Sequence, residues 1–332
     1  MRRRGSVSRY SCGALSWAGL LILGFSAACT SGAFAGKGES ARNGLTLTWV
    51  LIILGTVVYV VTGAVALTAL RRHPAHQDAH TREGFDHRMI VAGGIVVPAV
   101  ILLGLLVLNI TTLAAQPRNG RMTVQVEGFQ YWWEVRYPQQ GVVTANEIHV
   151  PTGERVRLEL TTHDVIHSFW VPELAGKRDL IPGRRNVLVI EADRPGTYRG
   201  QCAEFCGLQH ANMAMFVIAH APGDFQRWLR DNVAPAGTPA EMAQQRGLDT
   251  FMQNCAGCHT IRGTGADGQK GPDLTHFASR RTIGAGTVPN DRGRLGGWVA
   301  NAQSTKPGSL MPPIPIPADR LNDLLDYLES LR

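Results

Sequence analysis

The sequence predicts a multidomain membrane protein: a transmembrane α-hairpin, then a β-sandwich, then a small all-α domain. Three observations carry this. Two uncharged runs, Leu45 to Leu70 and Met89 to Ala115, stand near the N-terminus. From Met122 onward, alternating apolar residues are broken by frequent turn signals. After Gly247 the apolar spacing becomes helical around a Cys-x-x-Cys-His motif. A length of 332 residues allows two or three domains.

Arg2, Arg3, Arg4 and Arg9 precede an apolar run from Leu15 to Phe25 and then small residues. That is the tripartite pattern of a secretory signal, which we place at residues 1–29. Ser26-Ala27-Ala28-Cys29 admits two readings, a lipoprotein cleavage site with Cys29 acylated or an ordinary signal end. Both uncharged runs exceed the roughly 20 residues that span hydrocarbon, which makes residues 45–116 a membrane hairpin. The loop between them carries Arg71, Arg72, Arg82 and Arg88. The positive-inside rule puts that loop in the cytoplasm and everything after Gln116 outside. Its histidines read as a solvated interfacial segment. Pro98 in the second span predicts a kink.

Val156, Leu158 and Leu160 alternate with Arg155, Arg157 and Glu159, the pattern of a half-buried strand. Val187 to Ile190 reads as a fully buried one. Turn signals at Pro138, Pro151-Thr-Gly153, Pro182-Gly183 and Pro195-Gly196 recur often enough for a sandwich over residues 121–232. Residues 233–240, with the uncharged Ala234-Pro-Ala-Gly-Thr-Pro239, form a linker to the last domain, 241–332. There Gly247 and Phe251 mark an amphipathic approach helix, and Leu321, Leu324, Leu325, Leu328 and Leu331 share one face of a closing helix.

The formal charge of +7 sits at one end of the chain. Residues 1–120 hold 11 Lys and Arg against 4 Asp and Glu, residues 121–232 hold 12 against 13, and residues 233–332 hold 10 against 9. No domain outside the membrane is basic, which leaves nucleic-acid binding without support.

Cys202-Ala-Glu204-Phe-Cys206-Gly-Leu-Gln-His210-Ala-Asn-Met213 packs two thiols, an imidazole and a thioether into twelve residues, and His167 lies upstream. Cys202 and Cys206 alone would allow a disulfide, and the Cys/His set a zinc site. Neither uses Met213, whereas two thiolates with nitrogen and thioether donors suit copper cycling between its two oxidation states. Met215, farther along the same strand, reads as core. Cys255-Ala-Gly-Cys258-His259 has the spacing at which two thiols add to haem vinyl groups and the histidine reaches the iron. Met311, in Met311-Pro312-Pro313, is the expected sixth ligand, and the layout is that of a class I cytochrome c. His276 reads as structural.

The segment Cys202–Met213 resembles the binuclear CuA loop of cytochrome c oxidase subunit II. Asp164-Val-Ile-His167-Ser168-Phe-Trp resembles that family's upstream ligand segment, and Gly128-Phe-Gln-Tyr131-Trp132-Trp133 its aromatic run. The resemblance covers roughly residues 45 to 232. It implies a cupredoxin-like sandwich and His167, Cys202, Cys206, His210 and Met213 as side-chain copper ligands, with the Glu204 carbonyl as a further ligand. It also implies a Mg or Mn ion at the Glu204 carboxylate, shared with subunit I. Tyr131, Trp132 and Trp133 become candidates for receiving electrons. With haem c at Cys255, Cys258, His259 and Met311, the expectation is subunit II of a caa-type oxidase in a bacterial plasma membrane. An external donor, cytochrome c or a quinol-cytochrome c reductase, would feed haem c. The electron would pass to CuA and then to subunit I, with subunit III also in the complex, and oxygen would be reduced outside this chain. A CuA-containing nitric oxide reductase and a freestanding electron carrier are the other readings. Two departures from the family stand out: Val91 where many members have a glutamate before the second-span proline, and Tyr131 where many have tryptophan.

Overall fold

The computed structural model describes residues 32–71 and 87–332. The signal segment, Cys29 and the loop residues Arg72 and Arg82 lie outside the described residues.

Helix α1 runs Glu39–Arg71 and helix α2 His87–Ala114. Both are long and apolar enough to cross a membrane. Their large side chains, such as Ile53, Tyr59, Leu102 and Leu106, face outward on all sides, as a lipid-facing helix requires. α1 starts six residues before the apolar run. Its first turn is polar, and the sandwich holds it: Arg155 donates to Glu39 at 2.5 Å, and Arg42 pairs with Asp193. In α2 the residues before Pro98 form a π turn, Ala92–Val96. Proline lacks the N–H and crowds the preceding turn, and the wider turn absorbs both effects.

The sandwich has ten strands: β1 Met122–Phe129, β2 Trp132–Tyr137, β3 Val142–Ala145, β4 Glu147–Pro151, β5 Val156–Thr162, β6 His167–Trp170, β7 Arg178–Leu180, β8 Asn186–Ile190, β9 Gly196–Cys202 and β10 Ala214–His220. One sheet runs β3-β2-β1-β5-β8 and the other β4-β10-β9-β6-β7. Pairings are antiparallel except β1 with β5 and β4 with β10. Val124, Val126, Val156, Leu158 and Leu160 point between the sheets and are buried, while Arg157 and Glu159 point out. Trp133, Phe169 and Met215 fill the middle. β8 departs from expectation: only Val189 and Ile190 are buried, because β8 is the edge strand of its sheet, with β5 as its one ladder partner.

Helix α3, Pro222–Val233, closes the sandwich, with Phe225 and Leu229 buried. In the C-terminal domain, α4 (Met242–Asn254) crosses α7 (Ala318–Ser330), while α5 (Arg292–Ala300) and α6 (Ala302–Thr305) lead to the Met311 loop. A reciprocal pair, Glu241 with Gln244, caps α4. Phe251 meets Tyr327 edge-on at 6.2 Å, and Leu324, Leu325, Leu328 and Leu331 complete the core. The segment 234–240 is strapped down where it leaves the sandwich. Ala236 N–H donates to Arg262 O at 2.8 Å, and His276 bridges Ala234 O at 3.0 Å and Arg332 O at 2.9 Å.

Candidate functional site

Strand β9 ends at Cys202 and β10 begins just after Met213, which makes the segment between them a loop across one end of the sandwich. His167 opens β6, beside β9 in the same sheet. The topology therefore converges five side chains. Cys202 Sγ and Cys206 Sγ are 3.9 Å apart, and both thiols are free. His167 Nδ1 is 3.9 Å from Cys202 Sγ, His210 Nδ1 3.7 Å from Cys206 Sγ, and Met213 Sδ 3.8 Å from Cys206 Sγ. The Glu204 carbonyl lies 3.2 Å from Cys202 Sγ. These six groups are the set the resemblance implies, and their soft sulfur and imidazole donors fit a copper-type ion.

The imidazole is held from behind. Asp164 Oδ1 accepts from His167 Nε2 at 2.9 Å, while Asp164 Oδ2 accepts from Gln130 N–H at 2.7 Å. With Nε2 held by the carboxylate, Nδ1 faces the sulfurs, the arrangement found behind metal-bound histidines. Gly128 lets the ring in: a Cβ there would stand 2.8 Å from His167 Cδ2. Burial works against a charged His167, yet hydrogen bonds to Cys202 and Asp164 outweigh it and raise its pKa. The thiols divide: hydrogen bonding from Cys206 lowers Cys202, and the resulting thiolate pushes Cys206 up. A pair of thiolates this close needs a cation between them.

The Glu204 carboxylate is half-exposed, 3.2 Å from Lys177 Nζ, which also reaches Asp179 at 3.4 Å. An ammonium thus stands beside the carboxylate expected to face Mg or Mn. Phe205, Val165 and Ile166 form an exposed apolar rim around the loop. The three aromatic candidates separate. Trp133 is buried in the core with its ring 5.8 Å from that of His167. Tyr131 lies under the loop, its hydroxyl accepting from Leu208 N–H at 3.0 Å, and Gln130 Nε2 donates to Cys206 O at 2.6 Å. Trp132 stacks on Phe129 at 4.6 Å.

A cavity of about 670 Å³ occupies the C-terminal domain and is lined by Cys255, Cys258, His259 and Met311 together. That size suits a large cofactor. His259 Nδ1 donates to the Pro272 carbonyl at 2.8 Å, leaving Nε2 with its lone pair. Gly271 makes this possible, since a Cβ there would sit 2.5 Å from His259 Cε1. Burial lowers the His259 pKa and keeps the ring neutral, as a metal-binding imidazole must be. Arg280 is buried on the same cavity with its Nε unpartnered among the described residues, a cation placed to meet an anionic group. The residues fit a haem held by two thioethers, a histidine and a methionine. Phe129, Tyr131 and Trp132 of the sandwich line the cavity too.

Sequence reading did not single out two residues of this region. Asp164 was visible only as a neighbour of His167, although an acid three residues before a candidate ligand is a local signal for an orienting partner. Lys306, which joins the two domains, carries no local signal.

Comparisons with known proteins divide along the same line. The family profile "Cytochrome C oxidase subunit II, periplasmic domain" matches residues 140–220, and the profile "Cytochrome c" matches residues 244–332. Cytochrome c oxidase subunit 2 of Alkalihalophilus pseudofirmus is 33% identical over 309 residues, which cover 89% of this chain and 89% of that protein. The protein of the same name from Bacillus sp. strain PS3 is 32% identical over 224 residues, 64% of this chain and 62% of that one. The crystal structure of the periplasmic domain of subunit II of cytochrome oxidase from Bradyrhizobium japonicum is 30% identical, with a TM-score of 0.34, over 35% of this chain and 95% of that chain.

Proposed function

The chain belongs to the cytochrome c oxidase subunit II family with a fused cytochrome c domain, and on that premise we propose that it is the electron relay of a caa-type terminal oxidase. Cys202, Cys206, His167, His210, Met213 and the Glu204 carbonyl would hold a binuclear copper centre, and Cys255, Cys258, His259 and Met311 a covalently attached haem c. When bound, each of these groups would supply one-electron redox chemistry, with no bond made or broken.

The residues of this chain supply everything around that exchange. A strand end, a second strand start and Asp164 fix the sulfur and nitrogen donors, and a rigid donor set keeps reorganisation low. Gly271 and the Pro272 carbonyl fix His259. Phe129, Trp132 and the buried Tyr131 stand in the wall between the two sites. The single observation carrying the reading is that shared wall: the cavity holding Cys255, Cys258, His259 and Met311 is also lined by Tyr131, whose hydroxyl bonds the copper-loop backbone at Leu208.

In this reading α1 and α2 cross the plasma membrane with the sandwich and the haem domain on the outer face. The apolar rim of Phe205, Val165 and Ile166 faces subunit I, and subunit III joins the complex. A cytochrome c or a quinol-cytochrome c reductase supplies electrons at the haem domain. A Mg or Mn ion bound by Glu204 would take the place now held by Lys177.

The test is the double variant Cys255→Ala/Cys258→Ala in the purified oxidase. It should keep the copper absorption and lose most oxygen uptake with the native donor. Oxygen uptake at the wild-type rate would overturn the relay.

A further inference from the structure

Among the described residues, Lys306 is the buried cation whose bonds leave its own domain on two sides. Its side chain is fully enclosed, and Nζ donates to Asn212 O at 2.7 Å, Tyr131 O at 2.9 Å and Gly284 O at 2.6 Å. Three ammonium hydrogens thus meet three backbone carbonyls.

The chain positions of these groups matter. Lys306 lies five residues before Met311, in the loop that lines the haem cavity. Asn212 immediately precedes Met213, the thioether of the copper loop. Tyr131 lies between the cavity and that loop, and Gly284 belongs to a C-terminal-domain hairpin, Thr282–Ile283 with Val288–Pro289, seated on the sandwich. Ala214 N–H donates to Ala285 O at 2.9 Å, Arg281 N–H to Glu147 Oε1 at 2.7 Å, and Gln209 Nε2 to Pro307 O at 2.8 Å. Lys306 reaches both sides of this set through a single atom, Nζ.

Burying an ammonium with no carboxylate beside it is costly, and burial pulls the Lys306 pKa down to about 7. A leucine or methionine would fill the space at less cost. Three carbonyls from three segments, by contrast, define one point in space relative to both metal-binding loops.

We propose that Lys306 is a positioning residue that latches the haem domain onto the copper loop, fixing the two redox sites in register for electron transfer. The latch rests on the relay reading above and adds to it the element that sets the distance. Electron transfer falls off steeply with the separation of its sites, and a tether alone leaves that separation free to vary.

The experiment uses the purified oxidase carrying Lys306→Met, which removes all three donors at similar length, and Lys306→Gln, whose amide restores two. Laser-triggered reduction would follow transfer from haem c to copper, and hydrogen exchange on the same samples would follow the amides of Ala214 and Arg281. Those amides bond across the interface without touching Lys306, so their protection reports docking independently of activity. For Lys306→Met we expect transfer slowed about 10-fold or more and sensitive to solvent viscosity, with lost protection at both amides. The haem potential and copper spectrum should stay unchanged, and Lys306→Gln should recover part of the rate. Transfer within twofold of wild type with both amides protected would overturn the latch. So would a shifted haem potential or a lost copper signal in both variants, because Lys306 would then act inside one domain. If wild type itself shows no haem-to-copper transfer, the relay fails instead, and amide protection still decides the latch.

Discussion

Asp164 Oδ1 lies 2.9 Å from His167 Nε2, on the side of the ring opposite Cys202. The carboxylate selects the tautomer that leaves Nδ1 free for a metal, and it also ties down the Gln130 amide next to Tyr131. One side chain therefore orients His167, the candidate ligand outside the Cys202–Met213 loop, and the Gln130 backbone beside the cavity wall.

Asp164→Asn keeps an acceptor but removes the charge behind the imidazole. Copper retention should weaken by about 10- to 100-fold, as loss of such partners does elsewhere. Competition against a graded copper chelator would measure it. Equal affinity in the two proteins would show that Asp164 does not support the ligand.

The two faces of the haem site make opposite demands. Met311→Ala should remove the sixth ligand, lower the haem potential and open the iron to carbon monoxide. Gly271→Ala should act from the other side, because its methyl would press on His259 at 2.5 Å from Cε1 and displace the imidazole. Redox titration and carbon monoxide difference spectra read both. An unchanged potential with no carbon monoxide binding in Met311→Ala would assign the sixth position to another residue.

His149 and His220 give the sandwich an acid-sensitive joint. His149 Nδ1 and His220 Nε2 are 2.8 Å apart, and the His149 ring stacks on Trp228 at 4.1 Å. Burial lowers the pKa of His149, with Glu147 opposing and Arg280 assisting, and burial followed by His149 lowers that of His220, with Asp224 opposing. Both native values lie below 6.5, so as pH falls the unfolded chain binds protons first. The stability contribution is complete above about pH 6.5 and declines as pH falls through the native values. Thermal unfolding from pH 7.5 to 5 should show this decline, and His149→Phe, which preserves the stack, should flatten it. An identical slope in the variant would place the acid sensitivity elsewhere.

Much of the chemistry was legible in the chain because it is local. The Cys202–Met213 loop carries four of the five side-chain donors within twelve residues, and Cys255–His259 puts thiols and imidazole within five. The apolar runs set two long helices, since apolar length alone decides the preference for hydrocarbon. Alternation marked β5, but the short run at β8 could not reveal that this strand lies at a sheet edge, because neighbours across a sheet are not encoded in one strand. Tertiary structure also decided how the domains meet. Lys306 satisfies its three hydrogens on carbonyls 175, 94 and 22 residues away, and backbone carbonyls are identical in every residue. No side-chain pattern could announce them. The candidate donors could therefore be named from the sequence, while the register between their two loops was settled only by the folded backbone.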